Sequence, residues 1–427
     1  MIHPVSYQTT ARARAKRATS REISGPASLQ RQAARASSPA AGYSVADYGL
    51  YDQAQATAFR QKGAANGAMR SSLNALGGVI KTNQQDGPLG VTREDVTYTD
   101  PTRGDRAIKT RLYLPASQGD RPAPLVVLSH GLGGSEKTLE YLAEHLTSQG
   151  YAVVAMNHPG SDVQAVREAQ QASFKEQLQQ LGVPQRKIDQ LSENGIGPAE
   201  ISKTLSAQGL SPQEIREAKH KAFSQAAEKL LFQQSENWSD RPQDASFVLD
   251  QLEARAQQDP AFAKQIDFDH IAAAGHSYGS YTSLALAGAT INMPEGPTSF
   301  RDPRIDAAFI LSPVSTRPGG GGPYTAESFQ TVETPVFGIS GTKDDPENRV
   351  LTVRLGPQSQ DGYMLMLEDR RHKSFGNHGD DATQNIVKGA ATTFLNAYLR
   401  GDAANQAALD AVPSGDGLMR GNAFFRR

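Results

Sequence analysis

Ser277 sits in Gly275-His276-Ser277-Tyr278-Gly279, a G-x-S-x-G pattern whose meaning depends on what surrounds it. The small-residue run at 271–274 predicts a strand just before it, and 281–289 predicts a helix just after. A serine on such a strand-to-helix turn stands above the sheet, where a helix N-terminus favours developing negative charge. Glycine on both sides leaves room for the tight turn. Three other segments supply the partners that a serine nucleophile needs. Ser129-His130-Gly131-Leu132-Gly133-Gly134 follows an apolar run at 125–128, and its glycines let backbone N–H groups turn toward a reacting oxygen. The N–H groups of Leu132 and of Tyr278 are the candidate oxyanion donors. Asp344 and Asp345 follow a strand predicted at 335–339, and the spacing from Gly341 favours Asp344 as the acid. His372 follows the strand predicted at 363–367 and is the candidate base, whereas His378 reads as a solvated loop residue. Together these residues can carry out covalent acyl transfer.

His130 and His158 each stand at the end of an apolar strand, so both are expected to line the pocket, His130 by packing the glycine loop. His372, His378, Asp380 and Asp381 match no metal-ligand spacing. Neither a metal nor a cofactor is therefore expected.

The elements that must position these residues alternate in type. Strands are predicted at 91–98, 107–114, 125–128 and 151–156, with an amphipathic helix at 138–148. Further helices are predicted at 242–252 and 385–399, and another strand at 307–311. This alternation implies an α/β fold with a mostly parallel sheet covered on both faces. Residues 161–237 interrupt it with Gln-, Glu- and Lys-rich helical sequence. Within them, Gly182-Val183-Pro184, Gly195-Ile196-Gly197-Pro198 and Gly209-Leu210-Ser211-Pro212 each read as a helix start, and Ser211 with Glu214 fits a capping box. The position of this segment between two strands suggests a helical cap over one edge of the core.

The chain order Ser277, Asp344, His372 is that of α/β-hydrolases. Together with Asn157-His158-Pro159-Gly160-Ser161-Asp162, the run Arg241 to Asp250 and Gly341-Thr342-Lys343-Asp344-Asp345, it makes residues 91–400 resemble that superfamily. Within the superfamily they resemble bacterial predicted dienelactone hydrolases and platelet-activating-factor acetylhydrolase-like esterases. The resemblance implies an α/β-hydrolase fold with a cap. It also implies a serine esterase acting on a small-molecule ester or lipid through an acyl-enzyme. Dienelactone hydrolases use a cysteine nucleophile and this chain has no cysteine, so serine ester chemistry is the expectation. A serine peptidase, an acyltransferase or a non-catalytic binding protein on the same fold are the alternatives.

Composition bounds the rest. Among 427 residues, 44 Lys and Arg balance 45 Asp and Glu, which argues against a nucleic-acid partner. No apolar run approaches the ~20 residues that span a bilayer, so no transmembrane segment is expected. The balance hides an asymmetry: residues 1–41 hold seven Lys or Arg against Glu22, about +6, which leaves about −7 on the remainder. Residues 1–42 are expected to be a disordered basic tail, 43–90 a helical leader and 401–427 a polar tail that frays. Without an apolar signal core the expected location is cytoplasmic, an Arg- and Ser-rich targeting segment being the alternative. Nothing in the sequence fixes an oligomeric state.

Overall fold

The computed structural model describes residues 67–117, 121–193, 198–314, 322–325, 327–344, 361–419 and 422–426. The basic tail expected at 1–42, and 43–66 of the leader, lie outside the described residues. Helix α1 (Gly67–Thr82) is followed by β1 (Val91–Asp100), β2 (Arg106–Pro115), β3 (Ala123–Ser129), α2 (Glu140–Ser148) and β4 (Ala152–Met156). Four helices come next: α3 (Val163–Gln180), α4 (Gln185–Glu193), α5 (Pro198–Ala207) and α6 (Pro212–Glu228). A π-turn at Lys229–Gln233 leads into α7 (Glu236–Gln258), the short α8 (Pro260–Ala263), β5 (Ile266–His276) and α9 (Tyr278–Leu286). After a hairpin of β6 (Thr290–Met293) and β7 (Gly296–Ser299) come β8 (Ile305–Leu311), β9 (Val336–Gly341) and β10 (Gly362–Leu367). The described chain closes with α10 (Asp381–Arg400), α11 (Ala403–Asp410), β11 (Gly415–Met419) and β12 (Asn422–Arg426).

Ten strands form one sheet in the order β1-β2-β4-β3-β5-β8-β9-β10-β12-β11. The six from β4 to β10 are parallel, and the flanking pairs are antiparallel. All residues of β3, β4, β9 and β10 are buried, as parallel strands covered on both faces must be. Period-two alternation sorts β3 between two cores. Val126 and Leu128 join α1, α2 and α10 on one face, while Leu125 and Val127 join Ala245, Val248 and Leu249 of α7 on the other.

Several boundaries differ from the sequence expectation, each for a physical reason. Helix α7 runs through Pro242, which has no N–H to donate to the carbonyl of Trp238. The Tyr281 hydroxyl donates to that carbonyl instead, at 2.6 Å, so the helix survives. The leader contributes α1, whose Leu73, Leu76 and Ile80 are buried in the core. The fraying expected after Arg400 is corrected. Gly401 ends α10 in the left-handed region, Asp402 caps α11, and β12 pairs with β10. Phe424 anchors that pairing, fully buried against the rings of Phe337 and Tyr363.

The insertion between β4 and β5 has its own small core of Phe174, Leu178, Val183, Ile188, Ile201, Leu205 and Ile215. Gly182 and Gly209 take positive φ between its helices, and the Ser211–Glu214 capping box forms. Residues 195–197 of the middle turn lie outside the described residues.

Candidate active site

Strand β5 ends at His276 and α9 begins at Tyr278, leaving Ser277 alone on the turn with φ 55° and ψ −118°. A non-glycine residue held there is strained and needs its surroundings to hold it. The Ser277 N–H donates to the Leu311 carbonyl at 2.8 Å, and its own carbonyl accepts from the N–H and hydroxyl of Ser280. The flanking glycines are spatial necessities. A Cβ on Gly275 would lie 2.4 Å from the Gly279 carbonyl carbon, and one on Gly279 would lie 1.9 Å from the Ser129 oxygen.

Three parallel strands, β5, β9 and β10, deliver the reacting side chains from their C-terminal ends. His372 opens a single 3-10 turn, His372–Phe375, shortly after β10, and Asp344 lies three residues past β9. The Ser277 hydroxyl donates to His372 Nε2 at 2.8 Å, and His372 Nδ1 donates to Asp344 Oδ1 at 2.9 Å. Asp344 Oδ2 accepts the Ser340 hydroxyl at 3.0 Å, and the carboxylate is only 5 % exposed. His276 Nε2 donates to the His372 carbonyl at 2.9 Å, which fixes the backbone of the histidine turn. Asp345 lies outside the described residues. His378 is exposed on the loop before α10.

The glycine loop after β3 abuts the serine: a Cβ on Gly131 would come within 3.2 Å of the Ser277 Cβ. Gly133 N–H is taken by the Ser161 carbonyl and Gly134 N–H by the Gly131 carbonyl. The N–H groups of Leu132 and Tyr278 have no acceptor among the turn and loop hydrogen bonds of the described residues. Both remain available to an incoming oxygen, the Tyr278 N–H as part of the open N-terminus of α9.

Behind the loop lies a buried polar network. His130 and His158, expected to line the pocket, are 1 % and 0 % exposed, so that expectation is corrected: they face inward because their ring nitrogens are all engaged. His158 donates from Nδ1 to Asp244 Oδ2 at 3.0 Å and accepts the Ser129 hydroxyl at Nε2, at 3.1 Å. Asp244 in turn holds Arg103 and Arg106 at 2.8 and 2.7 Å. Burial, with Arg241 beside them, pushes both histidines well below the usual imidazole range. Arg241 itself is fully buried and donates to the Thr282 hydroxyl, the Ser161 hydroxyl and the His130 carbonyl, tying helix α9 to the loops that follow β4 and β3. Burial pushes its guanidinium down to about 10. The sequence signalled Arg241 only as part of the run 241–250, with no role attached. Among the described residues no group of histidines and acids could hold a metal ion, and no helix is long and apolar enough to cross a membrane.

A parallel sheet with a strained serine between strand and helix, facing a histidine and an acid from later strands, is the architecture of an α/β-hydrolase. The model of the family "platelet-activating factor acetylhydrolase, isoform II" matches residues 115–203. That stretch holds β3, the glycine loop and β4, and stops short of Ser277, Asp344 and His372. The chain thus resembles this family where its motifs suggested, and the match supports a hydrolase of the esterase or lipase kind. No curated protein matches the chain.

Proposed function

We propose that the protein is a serine esterase. The reading rests on one observation: Ser277, His372 and Asp344 are linked in that order at 2.8 and 2.9 Å. His372 takes the Ser277 proton as the oxygen attacks an ester carbonyl, and Asp344 holds the imidazole tautomer and stabilises its charged form. The N–H groups of Leu132 and Tyr278 receive the oxyanion, a contribution of roughly 2.7–4 kcal/mol for each donor. His372 then protonates the leaving alcohol. Water, activated by the same imidazole, hydrolyses the acyl-enzyme and regenerates the serine.

The substrate class is a small-molecule ester or lipid. The helical insertion supports this as a cap, because Leu132 packs against its Val166, Ala169, Ala226 and Leu230. Its Phe223, 42 % exposed on α6, lies 5.9 Å from the Lys373 ammonium, next to the base. Apolar cap residues therefore border the site from above. Replacing Ser277 with Ala is expected to abolish p-nitrophenyl-ester turnover and fluorophosphonate labelling while leaving the circular dichroism unchanged. Near-wild-type turnover by Ser277→Ala would overturn the reading.

A further inference from the structure

We propose that His130 is a positioning residue that aims the Leu132 N–H at the oxyanion, and that it is itself locked in place by a buried Asp244–His158 pair. The proposal rests on the serine-esterase reading and adds a part to it.

The hydrogen-bond partners of His130 allow one proton arrangement. Its Nε2 lies 3.0 Å from the backbone N–H of His158, which can only donate. Its Nδ1 lies 2.6 Å from the Gly131 carbonyl, which can only accept. The ring is therefore neutral, with its proton on Nδ1. The Gly131 carbonyl that receives this proton and the Leu132 N–H belong to one peptide unit. That unit is planar and trans, so its C=O and N–H point in opposite directions. Two donors pin the carbonyl on the inner side, His130 Nδ1–H and the Gly134 N–H at 3.0 Å. The Leu132 N–H must then project outward, on the side where Gly131 abuts Ser277. Hydrogen bonds along one chain of groups also polarise each other, so a donor on the carbonyl makes the N–H a better one.

His158 is locked in turn. Its Nδ1 faces the Asp244 carboxylate and its Nε2 accepts from Ser129, an order of groups that repeats Ser277–His372–Asp344. This second Ser–His–Asp set is not a second catalytic centre. Ser129, His158 and Asp244 are all essentially unexposed, and the Ser129 carbonyl lies against Gly279. Arg103 and Arg106 on the Asp244 carboxylate and Arg241 on the His130 carbonyl complete its surroundings. Its role is to hold the His158 backbone N–H in line with His130.

Three substitutions separate positioning from simple packing. His130→Phe keeps the ring volume and removes both nitrogens. His130→Asn keeps a donor near the Nδ1 position, and His130→Gln places its amide nearer the Nε2 position. Each is assayed on a p-nitrophenyl ester and on its thiono analogue, whose sulfur accepts hydrogen bonds poorly and so reports use of the oxyanion hole. His130→Phe is expected to lower kcat about 10- to 100-fold with KM within about threefold, and to shrink the wild-type preference for the oxygen ester. His130→Asn should recover most of the loss and exceed His130→Gln at least about tenfold in kcat. This last comparison decides the matter if the Phe variant does not fold. An unchanged oxygen-to-sulfur preference in His130→Phe, or equal activity in the Asn and Gln variants, would overturn the positioning role. If Ser277→Ala stays active, the esterase reading fails first; if it is dead and the His130 series behaves otherwise than expected, only the positioning role falls.

Discussion

The same substitution, glycine to alanine, should act in opposite directions at Gly279 and Gly78. At Gly279 the new Cβ would lie 1.9 Å from the Ser129 oxygen, 2.7 Å from its carbonyl carbon and 3.0 Å from the His130 oxygen. Ordinary contact begins near 3.4 Å, so α9 must retreat from the end of β3 by about 1.5 Å along that line. Every atom in the way is backbone, of Ser129 at the end of the fully buried β3 and of the buried His130 after it, so no side chain can swing aside. Overpacking of this kind costs about 1–3 kcal/mol, which exceeds the gain of about 1 kcal/mol from adding alanine to a helix. The retreat carries Ser277 away from Leu132, and a displacement near 1 Å at a reacting centre can cost about 10²-fold in rate. At Gly78, in α1, a Cβ meets nothing within 4 Å, so the helix-propensity gain of about 0.5–1 kcal/mol should stand alone. Thermal melts and ester turnover of both variants test the reasoning. A Gly279→Ala variant with wild-type melting temperature and kcat would refute the idea that close backbone contact at β3 sets the position of the serine.

Two further outcomes follow from single contacts. Asp344→Asn presents an amide to His372 and favours the wrong tautomer, so kcat should fall by about 10⁴ with little change in fold; a loss below tenfold, with a large one in Asp345→Asn, would move the acid to Asp345. Asp380 caps α10 by accepting the Thr383 N–H at 2.9 Å, and this bond holds its carboxyl below the usual range. Asp380→Ala should therefore cost about 1 kcal/mol at neutral pH. A lowered native pKa means that the cap is at full strength above the unfolded value near 3.9 and is lost as pH falls through the native one. The difference in melting temperature between wild type and variant should narrow on acidification below about pH 4, and a gap constant from pH 7 to pH 3 would contradict this.

The site was legible in the sequence wherever chemistry demands a residue type at a fixed place on an element. Ser277, His372 and Asp344 each follow a strand that its own apolar run betrays, and the structure brings them within hydrogen-bond reach. What stayed hidden depends on contacts far apart in sequence. Arg241 looks like a charged residue just before an amphipathic helix, and only folding shows it bonded to residues 111 and 80 positions earlier and 41 later. The fate of Pro242 depends on a tyrosine hydroxyl from α9. Strands β11 and β12 lack alternation strong enough to stand out, and pairing makes them strands: β12 pairs with β10, and β11 pairs with β12.

The place of β12 bears on how the molecule is assembled. It lies between β10 and β11, so a strand that follows β10 only after two intervening helices becomes an interior member of the sheet. Until residues 415–426 have left the ribosome, β10 presents an open edge of unpaired peptide groups, the kind of template on which chains pair with one another. That edge adjoins the loop carrying His372. The β11–β12 hairpin thus acts as a latch that closes a sticky border, and removing it would expose the protein to aggregation through the strand that leads to its candidate base.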